Sequence, residues 1–406
     1  MPADMPGMAE AATLISAIES HTASGTDVEP ISTPHPMWMA KRGGWQFMFH
    51  GVAFANEIQQ TGPRGGDKFF STNWFMPMAQ HQAGPGQFTA RVMLSLEPAT
   101  VTGRRYPELF QIGETAFGLP IVDGQHPHSL FSEIAGFYDW KLGGKSLLSL
   151  YAAPVGDPAL GPVAYPHRAS ASEDPVAVLG HHMQDSTHIA YEVITAGYTY
   201  SVIRIEASGF HGREPDENRW NIPAGAIDSW SARITASPAR NWSGQFSLGT
   251  LHSPEALFPL EDQRRMTASA TYNRPLGRGN WASSLVWGRT RNIGDRDILN
   301  SYLFESTLHF LSRNSVWSRI ENVDRTNLLL LGEQPLPPGF QEQFLARVQA
   351  YTLGYDREFP VVPHFSTALG GQATFYGMPA FLDATYGSRS MGYLLFVRFR
   401  PEGSMR

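Results

Sequence analysis

Residues 87–96 read QFTARVMLSL, a stretch in which apolar and polar side chains take alternate positions. One face would carry Phe88, Ala90, Val92, Leu94 and Leu96, and the other Gln87, Thr89, Arg91 and Ser95. Successive side chains of a β-strand point to opposite faces, so the stretch predicts a strand with one apolar and one polar face. Residues 229–236, SWSARITA, alternate in the same way.

Similar alternation recurs along most of the chain and predicts about sixteen strands. The predicted strands span residues 45–60, 68–79, 86–97, 129–141, 145–153, 186–198, 201–211, 227–237, 241–251, 264–273, 280–290, 299–312, 314–326, 342–357, 363–376 and 390–400.

The connections between these strands are alternately tight and long. Gly, Pro and Asn mark tight turns near residues 82–86, 142–145, 198–201, 237–241, 275–279 and 312–314, whereas the connections at 97–129 and 154–185 are long. This asymmetry is typical of membrane barrels, with short turns on the periplasmic side and long loops outside. The sequence therefore predicts an all-β fold, a transmembrane antiparallel up-and-down β-barrel of about 16 strands with both termini in the periplasm.

The first 41 residues show no such periodicity and are rich in Pro, Ser, Thr and Met. We therefore expect residues 1–41 to form a flexible periplasmic N-terminal arm and residues 42–406 to form the barrel. Residues 1–19 lack the basic start of a secretory signal, which this class of protein normally carries. We expect that the signal was removed or that the start lies further upstream.

The composition excludes several classes of function. The chain has no cysteine, which excludes disulfides and thiolate metal sites. Its net charge of -6 gives no basic surface for nucleic acid, so no nucleic-acid partner is expected. Its 39 glycines, 30 prolines and 12% aromatic residues suit a barrel with many turns.

The last predicted strand resembles the C-terminal β-signal of outer-membrane barrels. In residues 390–399, SMGYLLFVRF, a polar residue and a glycine precede alternating apolar or aromatic positions, although here the chain continues to Arg406. With this strand, residues 45–400 resemble the bacterial outer-membrane porin-like class, and the loops at 123–128 and 165–173 resemble those of an uncharacterised bacterial barrel family. The resemblance implies an outer-membrane location, contact with lipid and lipopolysaccharide, insertion by the barrel-assembly machinery and a possible homo-oligomer.

The polar faces of the predicted strands carry charges of both signs, which suits a water-filled pore that filters solutes by width and charge. A pore of this width conducts unless loops fill it, and the alternative is that the charges pair and brace or plug the barrel. The predicted pore-lining residues are Glu192, Arg204, Glu206, Arg233, Gln245, Glu305, Arg319, Glu321, Arg347 and Arg398, together with His309, Gln349 and Arg400.

Histidines concentrate in the two longest loops, and imidazole is a ligand for zinc, copper or nickel. The candidate metal ligands are His126, His128, His181, His182 and His188, with His167 and Met183 in the same loops. Thioethers suit Cu(I), and the arm adds Met1, Met5, Met8, Met37 and Met39. No spacing here matches a defined metal motif, so ordinary loop packing is the alternative.

The function we expect is an outer-membrane channel for passive diffusion of small hydrophilic solutes or ions, with one or both long loops folded inward. No cofactor and no catalytic residue are expected. The runner-up is a metal-related outer-membrane protein that binds or passes a transition-metal ion. A barrel-embedded hydrolase is third, because the chain has neither a His-Glu-x-x-His nor a Gly-x-Ser-x-Gly motif.

Overall fold

The computed structural model describes residues 13–293 and 297–402. Within these residues sixteen strands, β2–β4 and β7–β19, close into one antiparallel barrel. Their bounds are β2 Trp45–Gln60, β3 Gly66–Ala83, β4 Gly86–Leu94, β7 Phe131–Gly143, β8 Ser146–Gly156, β9 Ala190–Tyr200, β10 Ile203–His211, β11 Ser229–Ala239, β12 Trp242–Leu251, β13 Gln263–Leu276, β14 Gly279–Asn292, β15 Ile298–Phe310, β16 Asn314–Thr326, β17 Phe344–Phe359, β18 Phe365–Gly377 and β19 Met391–Pro401.

Each barrel strand pairs with its sequence neighbours among the sixteen, and the ring closes where β19 pairs with β2. At this seam Gly392 lies opposite Gln60 and Phe399 opposite Ala53. The predicted fold class is therefore confirmed. All sixteen predicted strands overlap the observed ones, because the alternation that reveals a strand is a local property of its sequence.

The outer face of the barrel carries exposed apolar side chains. On β11, for example, Ile234 is 45% exposed while its neighbour Arg233 is 3% exposed. The same alternation exposes Leu285, Leu353 and Leu395. A barrel of this kind presents such a band to the hydrocarbon of a membrane.

The two ends of the barrel differ as predicted. Turns such as those between β7 and β8 and between β11 and β12 are two residues long, at residues 144–145 and 240–241. The opposite end carries long connections, above all residues 95–130 and 157–189. The chain enters β2 and leaves β19 at the short-turn end.

An additional strand, β1 (Trp38–Arg42), lies beside the barrel seam. It pairs with the start of β2, where Trp38 lies opposite Phe49 and Arg42 opposite Trp45. The indole of Trp38 donates to the carbonyl of His364 and packs on Phe365 with ring centroids 4.9 Å apart. The strand thus lengthens the wall at the short-turn end.

Three segments fill the lumen: residues 13–37 (the N-terminal segment), residues 95–130 (the first long loop) and residues 157–189 (the second long loop). The first long loop contains the hairpin of β5 (Tyr106–Ala116) and β6 (Leu119–Gln125). Short helices are α1 Leu14–Ser20, α2 Glu97–Thr100, α3 His181–Gln184, α4 Leu328–Leu331 and α5 Asp383–Tyr386, with 3₁₀ turns at Thr102–Arg104, Tyr165–His167, Ala169–Ala171, Ser186–His188 and Ala380–Leu382. Among the described residues, no helix is long and apolar enough to cross a membrane.

The prediction of a flexible arm is wrong for residues 13–41, which pack inside the barrel or pair with its wall. Leu14, Ile15 and Ile18 of α1 are buried against Leu147 of the wall, and residues 21–33 are largely buried. Polar partners on the wall, described below, hold this segment in place. Residues 1–12, which include Met1, Met5 and Met8, lie outside the described residues.

The apolar core lies inside the barrel, where wall and inward segments meet. Leu160 of the second long loop packs with Phe137 and Phe210 of the wall. Val178 of the same loop packs with Val286 and Leu303. Burial of such apolar contacts stabilises the inward position of the loop by removing hydrocarbon from water.

Candidate functional site: the barrel lumen

Eight of the ten main residues predicted to line the pore point into the lumen. They alternate with exposed outward residues on their strands: Arg204, Glu206, Arg233, Gln245, Glu305, Arg319, Glu321 and Arg398. His309 and Arg400 share this facing. Most of these side chains are buried by the inward segments, so in this structure they bind those segments and do not border open water.

Glu192 and Arg347 correct the prediction. Glu192 lies at the loop end of β9 with φ of 50°, on the side of the exposed Ile194. Arg347 lies on the outer side of β17, binds Asp324 at 2.7 Å and packs over the ring of Tyr302. Gln349 also faces outward.

The error has a physical reason on β17. There the lumenal positions are Ala346, Val348 and Ala350, which pack against apolar residues of the loops. Because apolar loop residues pack against this part of the wall, its lumenal face is apolar and the usual polar-inside pattern is reversed there.

The N-terminal segment is bound to opposite sides of the wall. Arg91 of β4 donates to the carbonyls of His21, Ala23 and Gly25 at 2.6–2.7 Å. Across the lumen, Asn273 donates to the carbonyl of Ser32 at 2.7 Å. These bonds satisfy buried polar groups that would otherwise be costly.

Charged contacts reinforce this position. His21 lies 2.6 Å from the carboxylate of Asp139, and Arg233 binds both Asp27 and Glu206. Burial raises the pKa of Asp27 to about 6, against the opposing effect of Arg233. The segment therefore neutralises lumenal charges and closes the short-turn half of the barrel.

The second long loop crosses the middle of the lumen through a network of buried ions. Arg168 of the loop donates to Asp185 at 2.8 Å and to Glu305 of the wall at 2.6 Å. Arg319 binds Asp174 at 3.0 Å. Buried ions require such partners, because an isolated charge away from water is strongly destabilising.

Further contacts of this loop extend around the ring of strands. Glu173 binds Arg398 and Arg400 of β19. The amide of Ala159 donates to Ser208 on β10, and that of Gly161 to Ser247 on β12. The loop is thus attached to both sides of the barrel.

The β5–β6 hairpin closes the long-loop end. Arg325 donates to the carbonyls of Phe110 and Leu179, which joins the two long loops to β16. Phe110 stacks on Tyr386 with ring centroids 4.2 Å apart. Small cavities remain between the wall and the three inward segments, with volumes of about 20, 40 and 110 Å³.

The five predicted metal-binding histidines converge at this end. Ring centroids lie 5.6 Å apart between His126 and His182, 5.2 Å between His181 and His182, 5.1 Å between His181 and His188, and 5.3 Å between His128 and His188. Tyr165 borders the same group. In residues 13–293 and 297–402, however, no three His, Asp or Glu side chains are placed to hold a metal ion.

Carboxylates orient these imidazoles. Glu97 lies 2.9 Å from Nδ1 of His128, and Asp185 lies 2.7 Å from Nδ1 of His181. Burial lowers the pKa of His188 to about 3 and lowers that of His181. Burial also acts to lower the pKa of His128, but the carboxylate of Glu97 outweighs burial, so the pKa of His128 is raised.

A serine–histidine contact bears on the hydrolase alternative. Nδ1 of His309 lies 3.0 Å from Oγ of Ser315, and Nε2 lies 3.6 Å from Glu173. Glu173 is already bound by Arg398 and Arg400, so its charge is neutralised by arginines. This contact joins the second long loop to the wall, and the hydrolase remains a prediction.

A second group of potential ligands was not predicted. Met48, Met76, Met78 and Met93 are buried on three adjacent strands, and Met37 and Trp74 pack against them. The sequence did contain a signal for this group. Met48 and His50, like Met76 and Met78, are two positions apart within a predicted strand, which places both side chains of each pair on the same face.

Comparison with solved structures identifies the architecture. The chain is similar to the anion-selective porin from Comamonas acidovorans, with a TM-score of 0.54 and 11% identity over 88% of this chain and 99% of that one. It is also similar to OmpF of Salmonella typhi, at a TM-score of 0.51 and 9% identity over 89% and 99% of the chains. OprB of Pseudomonas putida matches with a TM-score of 0.50 and 7% identity over 87% and 94%.

No protein-family model matches the chain, and a search of curated proteins gives no significant match. The structural similarity establishes the fold. Sequence identities this low do not identify the transported solute. With the closed ring of sixteen strands, the outward apolar band and the long loops at one end, the chain has the porin-like fold of bacterial outer-membrane β-barrels.

Proposed function

We propose that this protein is an outer-membrane channel for small hydrophilic solutes or ions. The observation that carries the proposal is the lumenal wall, where Arg204, Glu206, Arg233, Glu305 and Arg319 project inward from a sixteen-stranded barrel. A barrel of this size is wide enough for an aqueous path, and charges of both signs favour hydrophilic solutes. The porin-like fold supports the same location and activity.

In the structure the three inward segments fill the lumen, so conduction requires movement of at least one of them. The second long loop is tethered to strands at both of its ends, β8 and β9. Within the described residues, the N-terminal segment continues into a strand at one end, β1, and its other attachments to the wall are hydrogen bonds and ion pairs. It is therefore the segment that can leave the lumen with the least rearrangement, and we assign it the role of a plug.

The proposal also assigns partners. Lipid would surround the exposed apolar band, and lipopolysaccharide would meet exposed arginines such as Arg347 at the long-loop end. The strand β19 would present the C-terminal signal to the barrel-assembly machinery. Association into a homo-oligomer would involve the outer faces of the barrel.

Conductance in a planar lipid bilayer tests the proposal. Purified full-length protein should give discrete current steps in potassium chloride, and heat-denatured protein at the same concentration is the control. Sugar uptake by liposomes that contain the protein would establish passage of uncharged solutes. A folded barrel that gives no current at any applied voltage would contradict the channel.

The second candidate function is binding or passage of a transition-metal ion, and the convergence of five imidazoles favours it. Their present arrangement would need a local adjustment to bind a metal.

A further inference from the structure

The methionine cluster occupies an unusual position in the lumen. On β2, β3 and β4 the inward side chains include Met48, Met76, Met78 and Met93, each at most 5% exposed. In register, Met48 lies opposite Met78, and His50 lies opposite Met76. Met76 and Met93 fall in the next matching positions of β3 and β4, beyond the pair Met78 and Arg91.

Two imidazoles border these thioethers. Nε2 of His167, from the second long loop, lies 3.2 Å from Sδ of Met93. The ring of Trp74 lies 4.3 Å from that of His167 and 5.2 Å from that of His50, so the indole holds both imidazoles. Met76, Met93, His50 and His167 therefore form one compact group.

His50 has a donor atom with no assigned role. Its side chain is 5% exposed, and among the described residues none is a hydrogen-bond partner of its Nε2. A buried polar atom in this state is costly and calls for an explanation such as a missing ligand. A cavity of about 110 Å³ borders both imidazoles, and its lining includes Arg168 and Arg400 but neither Met76 nor Met93.

Packing alone accounts poorly for this composition. Methionine often fills irregular gaps in apolar cores. Elsewhere in this lumen, wall side chains meet aliphatic side chains of the loops, as at Leu160 and Val178. The buried methionines meet His167 from the loop, and the buried members of their cluster are all methionine.

We propose that Met76, Met93, His50 and His167 form a binding site for a soft monovalent cation, Cu(I). Thioethers prefer Cu(I), and imidazole is a further suitable ligand. Uncharged donors suit a monovalent ion better than a divalent one, because burial of charge without a counter-ion is costly. Met78 lies directly opposite Arg91, whose guanidinium disfavours a cation there, and Met48 lies in the same row.

A buried site needs an entry path. A cavity of about 40 Å³ touches both Met93 and His128. From His128 the imidazoles of His188, His181 and His182 follow at spacings of 5.1–5.3 Å toward the long-loop end. This series of imidazoles, each a possible ligand for a passing copper ion, connects the proposed site with the long-loop end of the barrel.

Copper titration of the detergent-solubilised, full-length barrel tests the site. Cu(I), kept reduced and anaerobic, would be added in competition with a chromophoric chelator, with Ag(I) as a redox-inert substitute and Zn(II) as a divalent comparison. We expect one Cu(I) or Ag(I) ion per chain at this site, and an excess of Zn(II) should not displace it. X-ray absorption should show sulfur and nitrogen ligands at the copper.

Variants locate the ion. Met76→Leu with Met93→Leu keeps the volume of both side chains and removes both sulfurs, so affinity should fall by at least about tenfold. The matched control, Met48→Leu with Met78→Leu, comes from the same cluster and should retain binding. If the first pair does not fold, His167→Asn provides an independent variant on the loop and should also weaken binding.

The outcomes that overturn the proposal are distinct. Absence of stoichiometric Cu(I) binding by the folded barrel would overturn it, as would equal affinity in the variant that lacks Met76 and Met93. Loss of Cu(I) binding in the control variant Met48→Leu with Met78→Leu would overturn this ligand set. Binding that is lost when His181 is replaced by Ala, but retained in the variant that lacks Met76 and Met93, would overturn it as well. The site does not depend on conduction, which is measured separately, so failure of the channel proposal leaves this test intact.

Discussion

Arg91 and Glu133 form a two-pronged ion pair on adjacent strands of the barrel wall, with hydrogen bonds of 2.6 and 2.8 Å. The remaining N–H groups of Arg91 bind three backbone carbonyls of the N-terminal segment. One guanidinium thus joins wall to plug. Glu133 aligns the donor groups that hold the plug, because the planar guanidinium is fixed by its paired contact.

Removal of Arg91 should release the N-terminal segment. Arg91→Ala leaves Glu133 buried without its cation and three carbonyls without their donor, at a cost of about 3–5 kcal/mol. We expect faster cleavage at Glu19 and Glu29 by a glutamate-specific protease, together with larger current steps. Arg91→Ala with Glu133→Gln removes the unpaired charge as well and is the control for a general loss of stability. Unchanged cleavage and current in both variants would mean that the segment does not obstruct the lumen.

Ile234 tests the lipid-facing side of the wall. It is 45% exposed and lies opposite Phe246, which also faces outward. Ile234→Arg should cost about 2–4 kcal/mol if this position lies near the middle of the membrane, whereas Ile234→Val should be nearly neutral. Heat-modifiable mobility on a gel reports the folded fraction. Equal folding of the two variants would show that this face does not contact hydrocarbon.

The membrane orientation can be tested with single cysteines, because the chain contains none. Leu260 in a long-loop-end connection is 97% exposed, and a side chain at Gly143 in a tight turn would meet no atom within 4 Å. On intact cells an impermeant maleimide should label Leu260→Cys, whereas Gly143→Cys should react only after the outer membrane is permeabilised. The reverse pattern would invert the topology.

Glu29 should make the position of the plug depend on pH. Burial raises the pKa of Glu29 from 4.5 to about 7, although the amide of Ala169 donates to it and Arg168 lies nearby. A carboxyl whose pKa is raised in the folded state stabilises that state fully below pH 4.5, and this stabilisation is lost as pH rises to about 7. The difference corresponds to about 3 kcal/mol.

Thiol labelling measures this effect. Ala23→Cys, which is buried, should react faster at pH 8 than at pH 5.5, after correction for the intrinsic pH dependence with Gly143→Cys. Addition of Glu29→Gln should remove most of the remaining pH dependence, because the amide stays neutral throughout. A pH profile that is the same with Glu and Gln at this position would exclude Glu29 as its source.

The five-histidine cluster remains a predicted metal site that calorimetry can test. Cu(II) or Zn(II) should bind the solubilised barrel stoichiometrically, and binding should be lost when His181 and His182 are both replaced by Ala. Metal ligands must be deprotonated, and burial lowers the pKa of His181 and lowers that of His188 to about 3. Affinity should therefore persist below the ordinary histidine pKa of about 6.5 and fall only at lower pH. Affinity no better than about 100 μM, or 5.5 kcal/mol, would return these residues to loop packing.

Local patterns and long-range contacts differed in how far the sequence revealed them. The strand β16 was predicted at its observed bounds, Asn314–Thr326, because side-chain alternation needs no knowledge of distant residues. The place of the N-terminal segment depends on pairs such as Ser32 and Asn273, which are 241 positions apart. Such a segment has no periodicity of its own, so its polar composition resembled that of a disordered arm.

The candidate sites show the same division. Convergence of His126 and His182 followed from their positions in the two longest loops, but Glu214, a carboxylate beside His182, comes from the connection between β10 and β11. The methionines were separated among three strands and became a cluster only through strand register. Arg347 was misassigned because an apolar lumenal face cannot be distinguished from a lipid-facing one without knowledge of the plug.

The short strand β1 also has a consequence for self-association. The seam edge of β2 is covered by β19 along Ala53–Gln60 and by β1 along Trp45–Phe49. Without β1, residues Trp45–Phe49 of β2 would expose backbone donors and acceptors. A second chain could add a strand there, which is the usual origin of edge-to-edge aggregation. The hairpin formed by β1 and β2 therefore covers the part of the seam edge that β19 leaves unpaired.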